Sequence, residues 1–100
     1  MLVQNRVVRL WGNRIMKFKI MSIINEWDPI DLFPMAPINE YNSEIEKILL
    51  FLKSEKNITI SQLQLEINNI FISSFGNDVY KSSFEECKTI ATKILNKIYK

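Results

Sequence analysis

Apolar positions along this chain recur at spacings of three and four, the rhythm of helices with one buried face, and they do so in four stretches. From Met16 to Trp27, the residues Phe18, Ile20, Met21, Ile23, Ile24 and Trp27 spread over a wide face, with Lys19, Ser22 and Glu26 on the narrow polar side. Lys17-Phe18-Lys19-Ile20 alternates and alone would suit a strand, but the longer pattern is helical. A second helix is expected from about Glu44 to Glu55, opened by a Ser43/Glu46 capping box and lined by Ile45, Ile48, Leu49 and Leu52, with Leu50 and Phe51 widening the stripe. A third follows a cap at Ser61 with Gln64, stapled by Ile60 and Leu65. Leu63, Ile67, Ile70 and Phe71 form its main stripe, and Gly76-Asn77 close it. Ser82 or Ser83 caps the fourth, with Glu85 and Glu86 at its start and Lys93 and Lys97 near its end, the order the helix dipole favours. Its apolar face includes Phe84, Cys87, Ile90, Ala91, Ile94, Leu95, Ile98 and Tyr99. The expected fold is all-α, a small four-helix bundle.

Between the first and second helices lies WDPIDLFPMAPINEY, Trp27 to Tyr41, which holds all three prolines of the chain. Asp28 can cap and Pro29 open a short helical turn with Asp31 at its third position, which Pro34 then stops. Trp27, Ile30, Leu32, Phe33, Met35, Ile38 and Tyr41 are too apolar for a solvated linker, so the segment reads as a structured strap across the core.

Residues 1–15 carry Arg6, Arg9 and Arg14 and no acid. Drawn as a helix, Val3, Val7, Leu10 and Trp11 gather on one side and Asn5, Arg6 and Arg9 on the other, with Gly12-Asn13 expected to end it. This segment reads either as a frayed extension from an upstream start codon, with Met16 opening a single helical domain over residues 16–100, or as a basic arm for nucleic acid or a membrane surface. Counted from Met16, the chain keeps ten basic and eleven acidic side chains, so the +2 balance of the whole resides in the first fifteen residues.

Composition removes most chemistry. One hundred residues, 47% hydrophobic and 24% charged, make one globular domain able to bury a core unaided. Without histidine the commonest general base and zinc ligand are missing. No G-x-S-x-G, P-loop or C-x-x-C occurs, so no catalytic residue, metal or cofactor is expected. The lone Cys87, inside an apolar face, is expected in the core. No run reads as a membrane span or secretory signal, and the expected compartment is the cytoplasm.

W-D-P-I at Trp27 to Ile30, Glu40-Tyr41 before the second helix, the third helix ending in F-G and the E-C-x-x-I-A closing helix together resemble the YugE-like family of small bacterial helical proteins of unknown function. The resemblance covers about residues 16–98 and implies a helical fold with no established reaction. Family proteins often have Asp-Glu-Tyr-Asp where this chain has Asn39, Glu40, Tyr41 and Asn42. Such proteins look like those encoded beside bacterial toxins, which brings an immunity role into view.

Candidate residues therefore cluster at the strap. Trp27 and Tyr41 are of the types that anchor interfaces, with Asp28, Asp31 and Glu40 around them to meet a basic partner; core packing accounts for the aromatics equally well. Asp28, Asp31, Glu40 and Glu44 are also of the type that supplies oxygen ligands to a hard cation, while service of Asp28 and Glu44 at helix starts, with the other two solvated, accounts for them without one. The expected role is binding another protein, with an immunity-type inhibitor as its concrete form. Nucleic acid is not expected, because the last two helices lack a concentrated basic face. Leu65 and Ile72 form a minor apolar face of the third helix, for a second copy or for helix one.

Overall fold

The computed structural model describes the backbone of residues 2–99 and the side chains of residues 14–99. Four helices, α1 (Leu2–Trp27), α2 (Asn42–Ser54), α3 (Ile60–Val79) and α4 (Phe84–Tyr99), form an all-helical bundle with no strand among the described residues. Each helix touches two others in a closed ring, α1 on α2, α2 on α3, α3 on α4 and α4 on α1.

One face of each helix meets at the centre. Met16, Ile20, Ile23 and Ile24 come from α1; Ile45, Ile48, Leu49 and Leu52 from α2. Leu63, Ile67, Ile70 and Phe71 of α3 meet Cys87, Ile90, Ala91, Ile94 and Ile98 of α4. Burial of these aliphatic faces, at about 25 cal/mol per Å² of apolar surface, is what holds the bundle together. Cys87 lies in the core as its position in the α4 stripe predicts.

Several local expectations need correction. Phe18 is not a core residue but 62% exposed, since Met16 and Ile20, two residues before and after it, set the buried face and leave Phe18 on the opposite side of the helix. α1 passes through Gly12 and Asn13 without ending, because one interior glycine costs only about 1 kcal/mol in a helix that continues into packed sequence. The Ser43/Glu46 capping box does not form: α2 begins at Asn42 after Tyr41, with no side-chain cap, and Glu46 instead pairs with Lys17 of α1 at 2.7 Å. The α3 box is shifted by two residues. Thr59 Oγ1 accepts from Gln62 N–H and Gln62 Oε1 from Thr59 N–H, while Gln64 is buried and donates to the Phe84 carbonyl at 2.8 Å. Of the minor α3 face, Ile72 packs against the core and Leu65 stays 52% exposed.

Gly76 kinks α3 where Gly76-Asn77 is expected to close it, though the element runs on to Val79, and the opening signals of α4 stand as read. Gly76 takes a φ of 76°, and its carbonyl accepts from Tyr80 N–H at 2.9 Å. Ser83 Oγ accepts from Glu86 N–H at 3.1 Å, with Glu85 and Glu86 in the first turn and Lys97 in the last.

Candidate functional site

The segment 28–41 is tied to the bundle by one aspartate and one tyrosine. Asp28 ends α1 by taking a φ of 47° while its N–H still bonds the Ile24 carbonyl at 2.8 Å, a left-handed cap that Asp tolerates better than most residues. Its carboxylate then reaches forward: Oδ1 accepts from Leu32 N–H at 2.8 Å and Oδ2 from Phe33 N–H at 3.0 Å. The helical turn expected after Pro29 is replaced by a tighter one, closed by Asp31 N–H on the Asp28 carbonyl, in which Asp31 itself has a φ of 57°. Asp28 thus caps the end of one helix and not the start of another.

Tyr41 closes the loop from its far end. Its hydroxyl donates to Asp28 Oδ1 at 2.6 Å and accepts from Ile30 N–H at 3.2 Å. Burial pushes the Asp28 carboxyl up, but the bonds from Tyr41, Leu32 and Phe33 together hold it below its ordinary value of 3.8. Burial, and then the Asp28 carboxylate, push the Tyr41 phenol far up, so it is the proton donor of the pair. The Tyr41 ring is wholly buried, edge-on to Phe33 at 5.7 Å, Phe71 at 6.0 Å and Phe75 at 6.3 Å. The peptide bond between Phe33 and Pro34 is cis.

Trp27 extends the same aromatic group toward α4. It lies edge-on to Phe71 at 5.3 Å and to Tyr80 at 6.2 Å, and its indole N–H donates to Glu86 Oε1 at 3.1 Å. Phe71 also stacks on Tyr80 at 5.6 Å, and Tyr80 shares a hydrogen bond of 2.9 Å with the Cys87 thiol. Burial raises both the phenol of Tyr80 and the thiol of Cys87, so neither is an activated nucleophile at neutral pH.

Of the five residues singled out in the strap, Trp27, Asp28 and Tyr41 are therefore joined through one network of rings and hydrogen bonds, while Asp31 and Glu40 face solvent. Glu44 lies buried in the first turn of α2, and its Oε1 has no hydrogen-bond partner. Among the described residues no group of three or more Cys, Asp or Glu gathers as for a metal ion, and the four acids weighed for a cation do not form one. The basic face suggested by Arg6 and Arg9 lies outside the described side chains; Arg14 is described and exposed. Two partners escaped sequence reasoning, Glu86 for Trp27 and buried Gln64 for the α4 start. Gln64 left a trace, a polar residue directly beside Leu63 in the α3 stripe.

The described residues form a closed ring of four helices whose proline-bearing connection is held by Asp28 and Tyr41, and a fold of this kind does not by itself fix a function. Over residues 19–98 the chain matches a family model described as a domain of unknown function, DUF1871, and it belongs to that family. The match does not carry the YugE name. No curated protein and no solved structure matches the chain. No helix among the described residues is long and apolar enough to cross a membrane.

Proposed function

We propose that this protein works by binding another protein, and that the segment 28–41 is a strap whose outer side presents the docking surface. The observation that carries this reading is Met35, 92% exposed, beside Ile38 at 73%. Large apolar side chains held in water on a tied segment are the usual mark of a contact surface, and Met adapts its shape to a partner at little cost. The exposed carboxylates of Asp31 and Glu40 flank them and favour a basic rim on the partner. Tyr41 and Asp28 hold the segment from beneath, while Trp27 packs on Phe71 and Tyr80.

An immunity-type inhibitor, covering the basic substrate site of a toxin in the cytoplasm, is the concrete form of the proposal. The role is non-catalytic and needs no cofactor. Affinity capture from the native lysate, with wild type and Met35→Asp compared side by side, tests it. A specific partner held by wild type should fall by about tenfold or more on Met35→Asp, with circular dichroism unchanged. Equal capture by the two proteins, or none above a scrambled-surface control, would sink the idea.

A further inference from the structure

The outward face of α1 carries a second surface, which shares Ile38 and Glu40 with the docking surface proposed above but not Met35. Arg14, Phe18, Met21 and Asn25 follow one another at spacings of four, three and four, the period of a helix–helix seam, on the side of α1 away from Met16, Ile20 and Ile24. By sequence spacing alone, Val7 and Trp11 continue the same period toward the N-terminus. Phe18 is 62% exposed, and with Arg14, the Glu46-paired Lys17 and Met21, which is partly buried against the core, it lines an open groove of about 430 Å³. Asn25 Nδ2 donates to the Ile38 carbonyl at 2.9 Å, so the exposed Ile38 side chain extends the seam at its C-terminal end. Glu40, two residues further on, is within about 7 Å of chain reach from that point.

On this face exposed Arg14 stands at one end, Phe18 and Met21 in the middle, and Ile38 with exposed Glu40 at the other. A surface graded in that way is complementary to itself under a two-fold rotation. We propose that it binds a second copy of this chain, α1 against α1 in antiparallel order, with the axis between Phe18 and Met21. Phe18 of each protomer then meets Met21 of its partner, and Arg14 of each faces the end where the other carries Ile38 and Glu40. Parallel pairing would set Arg14 against Arg14.

Sedimentation velocity on the full chain decides the matter. Wild type should be a dimer that dissociates on dilution, and Phe18→Glu should be a monomer of unchanged helix content. Arg14→Glu and Glu40→Arg should each weaken the dimer by about tenfold, and the double reversal should restore it, because the exchanged charges face one another again. Should Phe18→Glu fail to fold, the reversal pair still decides, since both its residues are exposed. The proposal is overturned by a wild type that stays monomeric at its highest soluble concentration, whether or not it binds anionic vesicles. It is equally overturned by a dimer indifferent to Phe18→Glu, or by a double reversal that restores nothing.

Discussion

Asp28 does three jobs with one side chain and one backbone angle: it stops α1, fastens the turn that follows, and accepts a hydrogen bond from the Tyr41 hydroxyl. Asn keeps the left-handed backbone but has one acceptor oxygen in place of two. Asp28→Asn should therefore cost about 1–3 kcal/mol at neutral pH, measured by urea unfolding. The sign of its pH dependence follows from the lowered carboxyl. A depressed value in the folded state stabilises above the unfolded value of about 3.8 and loses that contribution as pH falls through the folded one. The gap between wild type and Asp28→Asn should accordingly shrink in acid below that range, and a gap that stays constant down to the lowest workable pH would contradict the assignment. Residue type alone drew attention to Trp27, Asp28 and Tyr41. What it could not convey is that Asp28 and Tyr41 bond to each other across the segment, because nothing local encodes a contact between residues 13 apart.

At the scale of elements, the helices were legible, and so was the first turn of α4, but the first turns of α2 and α3 were not. Periodicity is a local property, and it marked all four helices. Caps depend on where packing lets a helix begin. T-x-x-Q at Thr59 and S-x-x-Q at Ser61 fit the same motif, and burial of Gln64 against the start of α4 removes the second from use. Burial of Tyr41 draws the start of α2 to Asn42, so Ser43 falls inside the helix. Thr59→Ala should thus lower stability by about 1 kcal/mol, while Ser43→Ala should change it by no more than a few tenths, both read from thermal unfolding. Equal effects would mean that the two starts are capped alike.

For the whole molecule, the ring of helices sorts its apolar residues into those that build and those left outward. Ile72 packs against the core and Leu65 does not. Leu65→Glu should therefore leave stability within about 0.5 kcal/mol of wild type, and unfolding of that variant would place Leu65 in the core after all. The sorting was only partly visible in the chain, because a helix as apolar as α1 offers several faces and the choice among them is made by α2 and α4. Composition did show that charge is unevenly divided along the chain, since that needs no structure to count.

The position of Trp27, edge-on to two rings and bonded through its indole to a carboxylate of α4, makes it a built-in optical gauge. With Trp11 changed to Phe, the emission of this single indole would report how closely the end of the first helix sits against the start of the last, in real time and without an added label.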